Sequence, residues 1–236
     1  RLRQTEAELR NLGATVHAGA CDLADAAAVA GWVDDAARAL GGIDVLVNNA
    51  SAFARSDDEA AWGASLDVDL MASVRASRAA LPWMEESGGS IVHVVSISGL
   101  GPSARTPAYG AAKAALIQYA ATQAAALAAR RIRVNCVAPD MAPTPNMLKL
   151  SGRAESQLNH PLGPQVSIPM GRVGTVHDIS NAVVFLASGL SSYITGTTLH
   201  PDGGTFTASG WFNWPDTGFG NTVPLDVLRL LEGPTK

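Results

Sequence analysis

The sequence predicts an α/β protein in which a parallel sheet is covered by helices on both faces. Short apolar runs, among them 43–50 and 90–97, alternate with longer alanine-rich stretches such as 107–129. Strands that are apolar throughout are typical of parallel sheets buried on both faces. Polar residues follow several strands, among them Asp22, Asn48 and Ser96. Ligands bind at the carboxyl ends of parallel strands, so this edge of the sheet is the predicted site.

The individual elements are predicted in chain order from the same patterns. A first helix over 2–12 is expected to end at Gly13, because glycine is common at helix C-termini. The further elements are a strand over 14–20, a helix over 24–40, a strand over 43–50, a long helix within 57–86 with a break or capped start near Ser65, a strand over 90–97, a helix over 107–129, a strand over 131–139, a helix over 175–188 and a short strand within 197–204. These elements are expected to form one domain over residues 1–204.

Residues 205–236 are expected to form an aromatic-rich tail of the same domain. Trp211, Phe212, Trp214 and Phe219 stand there among glycines and prolines, which disfavour a regular helix before about Pro224. The short run 225–231 is predicted to be helical. Two roles remain open for this tail: closure over an active site, or packing on the surface.

Composition excludes several classes of protein. With 47% hydrophobic residues and a net charge of −4 over 236 residues, the chain is expected to fold rather than remain disordered. The acidic balance argues against a nucleic-acid partner, and no apolar run is long enough for a membrane span. Cys21 and Cys136 are too few for a disulfide framework, which together with the charged first residues favours a cytoplasmic protein. The five histidines show no metal-ligand spacing, so no metal site is expected.

Three residues carry the predicted chemistry. Tyr109 and Lys113 are four residues apart at the start of a helix, so both side chains lie on one face. A cation beside a phenol favours the phenolate, so Lys113 is expected to lower the pKa of Tyr109 and make it a general acid–base. Ser96, at the end of the preceding strand, is placed to hold a substrate oxygen. On a solvated helix a Tyr–Lys pair alone would be a weak signal, and its position at a strand end strengthens it.

Six ordered motifs resemble the short-chain dehydrogenase/reductase family over nearly the whole chain. They are CDLAD (21–25), IDVLVNNAS (43–51), IVHVVSISG (91–99), YGAAK (109–113), RIRVNCVAPDMAPT (131–144) and a C-terminal signature in two parts, 171–188 and 195–204. The resemblance implies a Rossmann-like, doubly wound parallel sheet and an NAD(P)-dependent oxidoreductase acting on an alcohol or carbonyl substrate. It also implies a homodimer or homotetramer, while the choice between NAD and NADP cannot be made from these residues.

Roles carried over from the family are expectations for this chain. Tyr109 would be the general acid–base, Lys113 would lower its pKa and hold the nicotinamide ribose, and Ser96 would orient the substrate oxygen. The residues expected to contact the dinucleotide are Asp22, Leu23, Asn48, Ala50, Tyr109, Lys113, Pro139, Ala142 and Thr144.

Three positions depart from the family pattern. Asp69 occupies the place of an asparagine that often completes the catalytic set. It could hold a water that links Lys113 to solvent, pair with Lys113 and raise the pKa of Tyr109, or be a tolerated replacement. Ser51 replaces a glycine and is expected to have little effect. Asp140 replaces another glycine beside the expected nicotinamide, where its charge could discourage a second anion or recognise a cationic group.

The chain is also expected to lack the first β-α-β portion of the family fold. No glycine-rich turn of the form G-x-x-x-G-x-G follows an apolar strand in this sequence, although such a turn normally holds the pyrophosphate. The resemblance places the start of the chain in a helix after the family's second strand, which indicates truncation at the N-terminus. Alternatives are a related protein without redox activity, such as a lyase, an isomerase or a binding protein, and an inactive fragment.

Overall fold

The computed structural model describes residues 2–85, 87–140, 142–144, 162–215, 218–221, 224 and 227. Its helices are α1 (Leu2–Asn11), α2 (Ala26–Leu40), α3 (Glu59–Ala64), α4 (Ala72–Met84), α5 (Pro107–Leu127), α6 (Leu162–Ser167) and α7 (Val176–Ala187). Its strands are β1 (Val45–Asn48), β2 (Gly89–Val94), β3 (Ile132–Val137), β4 (Thr198–Leu199), β5 (Phe212–Trp214) and β6 (Gly218–Gly220). Two compact units are formed, the first from Arg1–Ala138 and Ala182–Leu199, the second from Pro139–Asn181 and His200–Lys236.

The first unit contains a parallel sheet in the order β1-β2-β3-β4, which confirms the predicted α/β class. Alternate side chains of a strand point to opposite faces. Ile91 of β2 packs with Leu116 of α5 and Met84 of α4 in the main core. The neighbouring Ser90 hydroxyl donates to the Leu186 carbonyl of α7, 2.8 Å away. Helices therefore contact the sheet on both faces.

The helix boundaries follow from local chemistry. Asp25 caps α2 by accepting hydrogen bonds from the amides of Ala27 and Ala28 at 2.8 and 3.2 Å. Gly41 ends the same helix with φ of 84°, a left-handed conformation that glycine adopts without strain. The break predicted near Ser65 is a π-helical segment, Ser65–Met71, between α3 and α4. Its backbone continues into both helices, so the three segments form one long helical element.

One predicted strand is not formed. Residues 14–20 have no regular secondary structure, and β1 lies at the edge of the four-stranded sheet. Val45 and Val47 of β1 remain about two-fifths exposed, as befits an edge strand with one open face. A strand is stabilised by ladder hydrogen bonds to a neighbour, and residues 14–20 pair with no strand among the described residues. The expected absence of the first β-α-β portion stays a prediction.

The second unit contains α6 and the antiparallel pair β5–β6, a hairpin that the sequence patterns did not predict. Hydrogen bonds to the backbone hold the turn at residues 202–206 in this unit. The amide of Met170 donates to the Gly203 carbonyl at 3.1 Å, and Asp202 accepts from the amides of Gly204 and Phe206 at 2.9 and 2.8 Å. The short helix predicted over 225–231 lies outside the described residues, except for Val227, which is helical.

Candidate active site

The turn after β2 carries Ser96 against the start of α5. Ser96 caps a short 3₁₀ turn, Ile97–Gly99, by accepting a hydrogen bond from the Ser98 amide at 3.1 Å. Two glycines allow the close approach. A Cβ at Gly110 would lie 2.9 Å from the Ser98 carbonyl oxygen, and a Cβ at Gly99 would lie 2.8 Å from the Ala114 amide nitrogen. Glycine at these two positions therefore sets the distance between Ser96 and α5.

Helix α5 presents Tyr109 and Lys113 to the interior, as their spacing predicts. Both are buried, with exposed fractions of 7% and 2%. The Lys113 Nζ lies 5.5 Å from the centre of the Tyr109 ring and donates a hydrogen bond to the Val94 carbonyl at the end of β2, 3.1 Å away. The Ser96 side chain lies close enough to Tyr109 to lower the pKa of the phenol. The structure thus brings together the three residues of the predicted catalytic set.

Asp69 joins this set as an ion-pair partner. It lies on the π-helical segment, is fully buried, and places Oδ1 3.3 Å from the Lys113 Nζ. Its Oδ2 accepts no hydrogen bond from the described protein groups. Of the three interpretations of Asp69, pairing with Lys113 is the one the geometry shows. A buried ion pair is costly to separate, because removing one partner leaves an uncompensated charge.

The pKa of Tyr109 is raised to about 12, foremost because burial disfavours the phenolate. The side chain of Ser96 lowers it, and the negative charge of Asp69 raises it. Our prediction that Lys113 would bring this pKa down is therefore wrong. Asp69 sits against Lys113 and offsets its positive charge, while burial removes the water that would stabilise the phenolate. At neutral pH Tyr109 is a protonated phenol, a proton donor.

Burial also lowers the pKa of Lys113, and the charge and hydrogen bond of Asp69 oppose that effect. Two further titratable groups lie close to Lys113. Burial lowers the pKa of His93 to about 4 and raises the pKa of the Cys136 thiol to about 12. Both groups are therefore neutral over the whole physiological range. The charges of the site at neutral pH are those of Lys113 and Asp69.

Ser51 is a site residue that the sequence analysis underestimated. Its hydroxyl donates to Asp69 Oδ1 at 2.5 Å and accepts from the Phe53 amide at 3.1 Å. Phe53 has φ of 49°, the left-handed region, and its ring meets the Tyr109 ring edge-on at 5.1 Å between centroids. The signal in the sequence was that two departures from the family motif, at Ser51 and Asp69, occur in the same chain.

A cavity of about 200 Å³ opens at the carboxyl end of β1, between α2 and the π-helical segment. Leu23, Asn48 and Ala50, three of the predicted dinucleotide contacts, line it together with Cys21 and Trp32. The side-chain Nδ2 of Asn48 donates a hydrogen bond to the Ser77 hydroxyl at 3.3 Å and lies 3.2 Å from His93 Nδ1. The Nδ2 of Asn48 is therefore engaged within the protein, and a ligand in the cavity would contact other atoms of this residue.

Two further contacts fix the segment that leads into this cavity. The Asp22 carboxylate accepts a hydrogen bond from the Ala24 amide at 3.0 Å, which shapes the turn before α2. Arg75 of α4 donates to the Ala24 carbonyl at 2.9 Å and forms an ion pair with Asp67 at 3.4 Å. Arg75 therefore ties the turn holding Asp22 and Leu23 to α4.

The other predicted dinucleotide contacts, Pro139, Ala142 and Thr144, belong to the second unit, and each is half-buried. Their roles stay predictions, as does the role of Asp140. Within the described part of the chain, no cluster of three metal-binding side chains occurs. None of the described helices combines the length and the apolar character that crossing a membrane requires.

The fold and the site define a class: an α/β protein with a serine, a tyrosine and a lysine at the carboxyl edge of a parallel sheet. A family model described as enoyl-(acyl carrier protein) reductase matches residues 1–206. The chain belongs to the short-chain dehydrogenase/reductase family, as its motifs indicated, and is an NAD(P)-dependent oxidoreductase of that family.

Two curated relatives show the extent of the similarity. The short-chain reductase protein NovJ of Streptomyces niveus is 34% identical over 208 residues, 86% of this chain and 79% of that protein. The 3-oxoacyl-(acyl-carrier-protein) reductase FabG of Thermotoga maritima is 37% identical over 178 residues, 73% of this chain and 70% of that protein. Both are named as reductases, and nothing in these comparisons favours a protein without redox activity.

A solved structure confirms the Rossmann-like architecture. It is an NADPH-bound short-chain oxidoreductase from Pseudomonas aeruginosa PAO1, described as containing an atypical catalytic center. Its sequence is 30% identical, the TM-score is 0.79, and the match covers 86% of this chain and 82% of that one. The parallel sheet flanked by helices is therefore common to the two proteins.

Proposed function

We propose that this protein reduces the carbonyl group of a small molecule, with Tyr109 as the proton donor. The observation that supports this direction is the state of Tyr109: a buried phenol with a pKa of about 12, next to Ser96. A group that is protonated at neutral pH can donate a proton without first acquiring one. Oxidation of an alcohol would need the phenolate, which burial and Asp69 both disfavour.

The cofactor we propose is NADH or NADPH, and the described residues of the first unit fit part of it. The cavity beside β1 is smaller than the roughly 300–1,000 Å³ of pockets that hold a whole ligand, so it suits one ring system of a dinucleotide. Leu23 and Ala50 would contact that ring, and Asp22 would contact the dinucleotide from the turn before α2. Lys113 would hold the nicotinamide ribose. When bound, the reduced nicotinamide supplies a hydride to the carbonyl carbon.

The chain's own residues would move the proton and orient the substrate. As the carbonyl oxygen gains negative charge, the Tyr109 hydroxyl donates its proton to that oxygen, and the product is an alcohol. Ser96 donates a hydrogen bond to the same oxygen and so stabilises the charge that develops there. Lys113, held between Asp69 and the Val94 carbonyl, keeps a positive charge beside the phenol. Contacts of Pro139, Ala142 and Thr144 with the dinucleotide are part of the same proposal.

We also propose a setting for the enzyme. We place it in the cytoplasm, because the chain has an acidic balance and only two cysteines. We also propose that it acts as a homodimer or homotetramer on a small alcohol or carbonyl compound, with no nucleic-acid or membrane partner. The proposed domain spans residues 1–204, with 205–236 as its tail.

Substitution of Tyr109 by phenylalanine tests this function. In the full protein, Tyr109→Phe should reduce the rate of ketone-dependent NAD(P)H oxidation by about 10²–10⁴-fold, the usual worth of general acid–base catalysis. Dinucleotide affinity should be nearly unchanged, because the ring is kept. Tyr193→Phe is the matched control, since Tyr193 is fully exposed. Retention of more than about a tenth of the parent rate would contradict the role of Tyr109.

A further inference from the structure

We propose that Ser51 is a positioning residue: its hydroxyl fixes both the Asp69 carboxylate and the Phe53 backbone in the places from which they act on Tyr109. This inference rests on the proposed role of Tyr109 as proton donor. It concerns a position at which this chain departs from the family's glycine. Without a side chain, glycine could make neither of the two hydrogen bonds described here.

The first connection runs through charge. Asp69 Oδ1 receives two donors, the Ser51 hydroxyl at 2.5 Å and the Lys113 ammonium at 3.3 Å. Because Asp69 is fully buried, its carboxylate takes its orientation from these protein donors rather than from water. The hydrogen bond from Ser51 stabilises part of the negative charge on Oδ1, and Lys113 stabilises the rest. If Ser51 lost that hydroxyl, the whole charge of Oδ1 would act on Lys113.

The second connection runs through packing. The Ser51 oxygen accepts a hydrogen bond from the Phe53 amide at 3.1 Å, which closes a tight turn at Ser51–Phe53. Phe53 stands at φ of 49°, a conformation that a residue with a bulky side chain rarely adopts. In this conformation the Phe53 ring meets the Tyr109 ring edge-on. The turn thus sets the position of an apolar ring at the edge of the Tyr109 ring.

Other titratable groups do not interfere with this device. The groups that face the ion pair are Tyr109 and Lys113 on α5, His93 on β2 and Cys136 on β3. His93 has a pKa of about 4 and Cys136 a pKa of about 12, so both side chains stay neutral between pH 6 and 10. A change in the ionisation of Tyr109 on substitution of Ser51 therefore passes through Asp69, Lys113 or Phe53.

The test measures the ionisation of Tyr109 directly, without substrate or cofactor. The full protein is labelled with 3,5-difluorotyrosine, whose phenol is more acidic than that of tyrosine, and titrated by ¹⁹F NMR. The Tyr109 resonance is assigned by its loss in Tyr109→Phe. Ser51→Ala should raise the pKa of the labelled Tyr109 by about 0.3–0.5. This shift is a part of the energy of a charged hydrogen bond, because the phenol feels the lost bond only through Asp69 and Lys113. Ser51→Thr, which keeps the hydroxyl, should match the parent.

Two further variants separate positioning from a general loss of structure. Ser51→Gly also lacks the hydroxyl and should reproduce the shift of Ser51→Ala, while thermal melts verify that each variant folds. Asp69→Asn should lower the pKa of the labelled Tyr109, and in that background Ser51→Ala should shift it by less than half as much. The proposal is overturned if Ser51→Ala and Ser51→Gly both titrate like the parent, or if the shift is the same without Asp69. Because no turnover is measured, failure of the proposed function alone would leave these expectations intact.

Discussion

Replacement of Tyr109 by phenylalanine should make the protein more resistant to alkali, by an amount that follows from the burial of the phenol. The pKa of Tyr109 is about 12 in the folded state and 10.0 for the unperturbed side chain. Since the folded pKa is the higher one, the stability that the protonated phenol contributes is complete below pH 10 and is lost as the pH rises from 10 to 12. At pH 11 the unfolded phenol is mostly ionised and the folded one mostly protonated. The parent should therefore have lost about 1.4 kcal/mol relative to pH 8 through this residue.

The measurement is urea unfolding at pH 8 and pH 11, followed by tryptophan fluorescence. The free energy of unfolding of Tyr109→Phe minus that of the parent should increase by about 1.4 kcal/mol between the two pH values. Any constant cost of losing the hydroxyl cancels in this comparison. Tyr193→Phe is the control, because Tyr193 is fully exposed. Equal pH dependence for Tyr109→Phe and the parent would show that the phenol is not held protonated by burial.

Two further expectations concern the approach of α5 to its neighbours and the cavity beside β1. Gly110→Ala puts a Cβ 2.9 Å from the Ser98 carbonyl oxygen, so it should cost about 1–3 kcal/mol of stability. By moving the Ser96 turn it should also reduce kcat at least tenfold. Gly101→Ala is the control: no atom lies within 4 Å of the added carbon, so neither thermal melts nor steady-state rates should change. Cys21, which lines the cavity, should be alkylated by iodoacetamide more slowly when NADPH or NADH is added, as peptide mass spectrometry would show, and equal rates with and without dinucleotide would place the ring elsewhere.

The fold could be predicted from local patterns, and so could the central residues of the site. Apolar strands and alanine-rich helices follow from periodicity, and the spacing of Tyr109 and Lys113 places both on one face of α5. The strand predicted over 14–20 failed because strand formation depends on a neighbour, which the segment's own residues do not reveal. The hairpin β5–β6 was missed because its two strands are short and each carries only a weak pattern, so their pairing is not visible in either segment alone.

The electrostatics of the site could be predicted only in part. Pairing of Asp69 with Lys113 was among the alternatives, but no sequence pattern distinguished it from the other two. The raised pKa of Tyr109 was predicted with the wrong sign, because burial is a property of the packed structure and outweighs the nearby cation. The bond from Ser51 to Asp69 joins residues that are 18 positions apart and meet only after the loop between them has folded.

The π-helical segment Ser65–Met71 has a consequence for how this chain tolerates insertions and deletions. A π turn accommodates one more residue than an α turn, so it changes the rotational phase between the helix before it and the helix after it. Removal of one residue here would let the backbone relax to α geometry and rotate α3 about its axis relative to α4. The side chain at position 69 would then leave Lys113 although no catalytic residue had been exchanged. The length of this segment, as much as the identity of Asp69, determines whether the ion pair forms.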